Sequence, residues 1–327
     1  MPAQPLDSST VIDLVTAATA APSLHNAQPW RFRHVSADRT LELRADLGRA
    51  MPRTDPDNRG LHLGCGAALL NLRVAAAHLG RSTETVLLPD PAAPELLATA
   101  RLTGTARPDT ELARLFPAIA RRHTSRHPFE DREIPAGLQD KLCEAARLEG
   151  AQLTFPDRWH LESLLGDILD AEGRDSLDPE RLEDIYRWTR TEDSATAADG
   201  IPVEAFGPRK RGGRAPVRDF AGRRPIPGRP SAVFESTPNL ALLGTTDDHP
   251  ADWLRAGQAM ERVLLAATLA GLATSLTSHA LEEQDLRETV RDPESAMGFV
   301  QMVLRLGYGP TGAGTSRRPV HEVLEIA

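Results

Sequence analysis

Two short stretches concentrate the side chains that could do chemistry. The first runs Pro22-Ser23-Leu24-His25-Asn26-Ala27-Gln28-Pro29-Trp30. Its neutral donors and acceptors lie at short spacing, which suits a heteroaromatic ring with alternating carbonyls and nitrogens. A capped, proline-bounded turn would use the same residue types. The second runs Arg121-Arg122-His123-Thr124-Ser125-Arg126-His127-Pro128-Phe129. In an extended chain alternate residues share a face, so Arg122, Thr124 and Arg126 would point together. Guanidinium, hydroxyl, guanidinium is an oxyanion receptor, and guanidinium matches phosphate in a bidentate fashion. A basic linker would look similar. Arg317-Arg318-Pro319 offers a third cationic arm.

The elements around these stretches must position them. Val11 to Ala21 has helical spacing and stops at Pro22, leaving Ser23 to Trp30 as a polar loop. Arg31 to Val35 and Thr40 to Arg44 alternate like paired strands. Arg59 to Leu79 predicts a long, nearly all-apolar helix closed by Gly80. Strands are expected at Thr85–Leu88 and Leu97–Leu102, a helix at Leu138–Leu148 and a strand at Gln152–Phe155. Arg158 to Arg190 reads as helical, with Asp178-Pro179 opening its later part. Ala195 to Arg229 reads as irregular. Asn239–Thr245 is expected as a buried strand, Asp252–Leu272 as a second long apolar helix and Val300–Leu306 as the last clear strand.

Two of these elements repeat. Gly66 to Gly80 aligns without gaps on Gly257 to Gly271, with Gly66/Gly257, Ala68/Ala259, Ala75/Ala266, Ala76/Ala267 and Gly80/Gly271 identical. Small residues on one face let two helix backbones approach closely. Each long helix is followed by a strand ending Arg-Leu and soon Gly: Arg101-Leu102-Thr103-Gly104 and Arg305-Leu306-Gly307. The order of elements therefore implies two related α+β halves, residues 1–110 and 111–327.

Taken together, these residues resemble the FMN-dependent nitroreductase superfamily. Pro22 to Trp30 matches that family's Pro-Ser-x-x-Asn-x-Gln-Pro-Trp motif. Arg122-His123-Thr124-Ser125-Arg126 matches its Arg-x-Ser-x-Arg/Lys phosphate motif, with Phe129 displaced by one residue. Ser316-Arg317-Arg318-Pro319 is similar to its closing segment. In the ordinary family the arginine motif comes first, and two subunits form a dimer with two flavins. Here the order is reversed, which resembles the fused branch often called the Acg family, whose single chain mimics the dimer as an intrachain pseudo-dimer. Each complete flavin site needs one phosphate arm and one ring-facing loop, and this chain has one of each. The resemblance thus implies one FMN per chain. It implies Arg122, His123, Thr124, Arg126 and Arg318 at the phosphate. It implies Pro22, Ser23, His25, Asn26 and Gln28 at the flavin from the other half, and Thr277 and Ser278 near its N5 edge. Thr-Ser stands where the family often has an acid. No catalytic side chain is obligatory in such a site.

Residues 195–229 have no counterpart in simple nitroreductases. They carry Arg209, Lys210, Arg211, Arg214, Arg218, Arg223, Arg224 and Arg229 amid Gly and Pro. They read as a lid over the flavin, as a flexible solvated loop or, least well, as a nucleic-acid tail. The last needs stacking aromatics, and only Phe206 and Phe220 are present.

Composition sets the outer limits. Across 327 residues, 38 Lys and Arg stand against 46 Asp and Glu, a net charge of −8. That argues against a general nucleic-acid or anionic-membrane binder. Lys141 and Lys210 are the only lysines, and neither sits in a P-loop frame. Gly64-x-Gly66 lacks the preceding strand and third glycine of a dinucleotide fingerprint. Cys65 and Cys143 are expected to be free thiols, and no His/Cys cluster has metal spacing. With no leader-like start, and no uncharged run reaching the roughly 20 residues of a membrane span, the chain is expected to be cytoplasmic. The expected activity is a flavin-mediated hydride transfer to a small nitroaromatic or quinone-like molecule, with NAD(P)H as candidate reductant. The alternative is an FMN-sequestering or FMN-sensing protein. A chain that has internalised its dimer interface is expected to be monomeric.

Overall fold

The computed structural model describes residues 6–104, 109–191, 198–291, 295 and 297–327. Helix α1 (Ser8–Thr19) starts at Asp7, whose carboxylate accepts the Thr10 N–H at 2.7 Å. Strands β1 (Trp30–Val35) and β2 (Thr40–Ala45) follow, then helix α2 (Arg59–His78) and strands β3 (Arg81–Leu87) and β4 (Leu96–Gly104). The later half contributes α3 (Ala136–Arg147), β5 (Gln152–Thr154), α4 (Arg158–Leu177) and α5 (Pro179–Arg187). It continues with β6 (Asn239–Thr245), α6 (Pro250–Leu269), β7 (Ala273–Thr277), β8 (Phe299–Gly307) and a terminal strand β9 (Leu324–Ile326).

Two sheets result. The first has strand order β9-β1-β2-β4-β3 and the second β7-β8-β6-β5. In β1 Trp30, Phe32 and His34 face inward while Arg31 faces out, the alternation that a half-buried strand requires. Within these two larger sheets the pairings are antiparallel except β1 with β9, where Phe32 lies opposite Leu324. The first sheet, otherwise built from residues 30–104, is therefore completed from the far end of the chain. The arrangement is of the α+β class expected from the order of elements in the sequence.

Between the sheets α2 and α6 lie against each other. A Cβ on Gly66 would overlap the Leu254 carbonyl oxygen, and one on Gly257 would overlap the Leu63 carbonyl oxygen. Leu63 is to Leu254 as Gly66 is to Gly257 in the sequence repeat, so the contact is reciprocal. Helix α2 is apolar over most of its surface because most of its residues are enclosed. It is long and apolar enough to cross a membrane, but it sits at the centre of the core. Cys65, fully buried on it, is free, and burial pushes its thiol up; Cys143 is also free.

Some expectations need correction. The helical span over 158–190 does break where Asp178-Pro179 was expected to open its later part, with Asp178 capping α5 through the Glu180 N–H, but it ends at Arg187, and Thr189–Arg190 is a short strand. Residues 195–197 lie outside the described residues, but 198–229 are not simply irregular. Ile201–Pro202 pairs with Thr189–Arg190, and Arg209–Gly212 pairs with Ser231–Val233. The arginines of this segment are largely engaged within the fold. Arg214 pairs with Glu162, Arg229 with Asp219, and Arg223 donates to the Ser176 carbonyl.

Candidate functional site

The residues from Pro22 to Gln28 form a tight turn held against its own preference. His25, Asn26 and Gln28 all have positive φ (49°, 56° and 53°). Non-glycine residues adopt this conformation only when their surroundings impose it. Here Ser23 Oγ accepts the Gln28 N–H at 2.9 Å. Asn26 Nδ2 donates to the Gly200 carbonyl at 2.9 Å, and its Oδ1 accepts from Arg317 Nη1 at 3.0 Å. Gln28 Nε2 donates to the Ala198 carbonyl, and its Oε1 accepts the Arg318 N–H at 2.8 Å. The turn is thus clamped by the 198–200 segment and by the C-terminal arm.

The arginine stretch meets it from the other half. Ser125 N–H donates to the Thr274 carbonyl at 2.8 Å, and Ser125 Oγ donates to the Pro310 carbonyl at 2.7 Å. This pins residues 124–125 beside β7. Arg122 Nη2 donates to the Ala20 carbonyl, with Nε 3.4 Å from Glu261 Oε1. Arg126 Nη1 donates to the Ala205 carbonyl at 2.9 Å and lies 4.7 Å over the Phe220 ring. Behind the stretch Arg305, fully buried, grips Glu235 through two hydrogen bonds and donates to the His127 carbonyl.

The two stretches wall one cavity, about 1150 Å³ of space partly open to solvent. Pro22, Ser23, His25 and Asn26 line it from the turn; Arg122, His123, Thr124 and Arg126 line it from the arginine stretch; Ser278 lines it beyond β7. Three expected residues do not line it. Gln28 is fully buried and spends its amide holding the turn. Thr277 turns its hydroxyl to the Pro216 carbonyl. Arg318 is drawn away by Asp46 at 3.4 Å and Glu322 at 3.5 Å. Its neighbour Arg317 takes the cavity position, donating to the carbonyls of Thr19, Ala20 and Ala21 at the end of α1. Val217, Arg218 and Phe220 reach the same cavity, as do His279 and Glu282. Of these five, the sequence motifs pointed to Arg218 and Phe220 only as members of the 195–229 segment, and did not single out Val217, His279 or Glu282.

The electrostatics are lopsided. Among the described residues, Arg126 and Arg317 have no carboxylate within ion-pairing distance. Burial and the nearby Arg218 push Arg126 down to about 10, and burial and Arg122 push Arg317 down to about 9. Arg218, by contrast, pairs with Glu282 at 2.7 Å and with Asp175 at 3.6 Å. Nδ1 of His25, Nδ1 of His279 and Nε of Arg122 are buried without hydrogen-bond partners. The opposite walls include Leu63, Met260, Leu276 and Met302. A cationic end, an apolar slot and orphaned ring nitrogens together suit a flat, polar-edged ring joined to an anionic group.

Burial, with Arg218 beside both, pushes the imidazoles of His25 and His279 well below the usual histidine range. They are neutral when folded and charge more readily when unfolded. Their contribution to stability is therefore present above about pH 6.5 and is lost as pH falls below it. The raised carboxyls of Glu261 and Glu282 act with opposite sign, so the comparison must be with a variant. Between pH 7.5 and 5.5 the wild-type Tm should fall more than that of a His25→Asn, His279→Asn double variant. Equal slopes would contradict this reading.

Comparisons with known proteins agree with the geometry. The Nitroreductase family pattern matches residues 119–308, beginning just before Arg122. A Mycobacterium tuberculosis protein provisionally named NAD(P)H nitroreductase Rv3131 is 34% identical over 326 residues, covering 98% of this chain and 92% of that protein. Another from the same organism, provisionally named NAD(P)H nitroreductase acg, is 30% identical over 333 residues, covering 100% and 98%. Among solved structures, one provisionally described as a nitroreductase from Anabaena variabilis aligns with a TM-score of 0.50. It has 11% identity and covers 94% of this chain and 90% of that one.

Proposed function

This chain belongs to the nitroreductase family, and from that premise we propose that it is an FMN-dependent oxidoreductase holding one FMN in the cavity between its halves. The observation that carries the proposal is the pair of inward guanidiniums, Arg126 and Arg317, without carboxylate partners in the wall of one cavity. Uncompensated charge inside a fold is costly, and a phosphate would compensate both. Arg122, Arg126, Arg317, His123 and Thr124 would hold that phosphate. The Pro22–Asn26 turn and the apolar walls would hold the ring, with Ser275, Leu276 and Ser278 at its edge. FMN, when bound, supplies the hydride chemistry. The protein's part is to orient the ring, exclude water and neutralise the phosphate. NAD(P)H is the proposed reductant, and nitroaromatic or quinone-like molecules are the proposed substrates. The α2–α6 contact inside the chain fits a monomer that mimics a dimer, residues 1–110 and 111–327 acting as its two parts.

A second reading has its own support. Arg218 and Phe220 enter the cavity from the 198–229 segment, and Arg218 is anchored by Glu282 and Asp175. A lid fastened in this way favours FMN sequestration over turnover. The test is absorbance of the purified protein, then anaerobic addition of NADPH and NADH. About one flavin per chain that bleaches with either nucleotide fits the reductase. A flavin that bleaches only with dithionite fits sequestration. A colourless protein that does not take up FMN overturns both.

A further inference from the structure

Glu261 sits in the middle of α6, with its side chain wholly buried and neither carboxylate oxygen in a hydrogen bond of good geometry, Asn71 on the facing helix being its nearby side-chain donor. Burial of this kind is normally tolerated only for paired carboxylates. Among the described residues its ion-pairing contact is with Arg122, whose Nε lies 3.4 Å from Oε1 and is itself without a hydrogen bond. The separation is longer than a good charge-assisted bond. Arg122 also lines the cavity.

The charged and titratable groups around Glu261 are few. Asn71 from α2, Arg122 from the arginine stretch and Arg317 from the C-terminal arm act on it, and His123 enters only as a neighbour of Arg122 and Arg317. Arg262 and Arg73 lie near in sequence or on the facing helix, but both close on Glu149, at 2.7 Å and 2.5 Å. Glu261 is therefore the carboxylate set against the cationic end of the cavity. Burial holds its carboxyl up at about 7, against the pull of Arg122, Asn71 and Arg317.

We propose that Glu261 is an exchangeable counter-ion for Arg122, and that an anion arriving at the cavity displaces it and drives it to take up a proton. The reasoning is electrostatic. Arg122 cannot neutralise Glu261 and a phosphate equally. An anion near Arg122 also raises the cost of a second negative charge a few ångströms away, so the carboxyl is expelled from its charged form. The protonated acid then needs no counter-ion, and Arg122 serves the ligand alone. Anion affinity consequently weakens as pH rises above the range in which Glu261 is already protonated. The identification of that anion as the phosphate of FMN rests on the reading above; the exchange itself does not.

The test is calorimetry of the full chain in buffers of different ionisation enthalpy, which counts protons taken up per anion bound. Two probes are used: FMN, and sulfate, which carries no exchangeable proton at these pH values. At about pH 8 the wild type should take up between roughly half and one proton per anion. Glu261→Gln should abolish the uptake, and His123→Gln should retain it. Should Glu261→Gln fail to fold, sulfate binding to the wild type still decides. Uptake at Glu261 must shrink between about pH 8 and pH 6, since the acid is by then already protonated. Uptake at His123, whose imidazole is pushed down by burial and by Arg122 and Arg317, would grow instead. No uptake in the wild type, uptake that survives Glu261→Gln, or uptake that grows toward pH 6 overturns the proposal. FMN bound without proton uptake sinks it and leaves the flavin reading standing. Sulfate bound with uptake, but no FMN bound, does the reverse.

Discussion

Gly257→Ala should leave little folded protein, and Gly66→Ala should do the same. The added methyl at either position would overlap a backbone carbonyl of the other helix, Leu63 or Leu254. It would also stand about 3 Å from the opposing glycine Cα. Backbone cannot rotate out of the way as a side-chain end can, so the helices must separate. The two helices carry much of the core, including Leu63, Leu69, Met260 and Leu264. Separation would open gaps along it, at a cost of roughly 3 kcal/mol or more. Soluble yield and urea unfolding would measure this. A Gly257→Ala protein as stable as the wild type would mean that the helices tolerate a wider spacing.

Arg126→Leu should act in opposite directions on the two states of the protein. With FMN, it removes a charge-assisted contact of about 1.5–3 kcal/mol, so Kd should rise about 10- to 150-fold. Without FMN, it removes an inward charge that lacks a carboxylate partner, a gain partly offset by losing the guanidinium's contact with Phe220 and its hydrogen bond to the Ala205 carbonyl. The cofactor-free protein should then be more stable by about 1 kcal/mol or more. Fluorescence titration of FMN and thermal unfolding of the apoprotein give the two numbers. A residue that merely supported the fold would lower Tm and leave FMN affinity little changed. The opposed signs identify a charge kept for a ligand.

Much of the frame was legible in the sequence because its periodicities are strong. Helices α2 and α6 and strands β1, β2, β6 and β8 lie within a few residues of their expected places. The glycine repeat pointed to a contact that is reciprocal in space. What escaped depends on tertiary partners. Strand β7 carries Thr and Ser amid its apolar residues and is a strand because β8 lies beside it. Strand β9 is three residues long and has meaning only against β1. Adjacent guanidiniums at 317 and 318 cannot be told apart by type, and Asp46 and Glu322 decide which turns away. The place of Gln28 depends on Ala198 and Arg318: its amide is spent on their backbone groups and does not line the cavity. Glu261 did leave a sign, an acid amid the small and apolar residues of a buried helix.

The pairing of β1 with β9 also sets a timetable. The first sheet begins to form from residues 30–104 but cannot close until residues 324–326 have been made. Closing so large a loop is entropically expensive and slow. Arg317, which clamps the Asn26 turn and faces the cavity, lies on the same late segment. Sheet closure and cavity completion are thus one event. A chain interrupted before that segment would be left with an open edge on β1 and without Arg317 at the Asn26 turn and in the cavity wall.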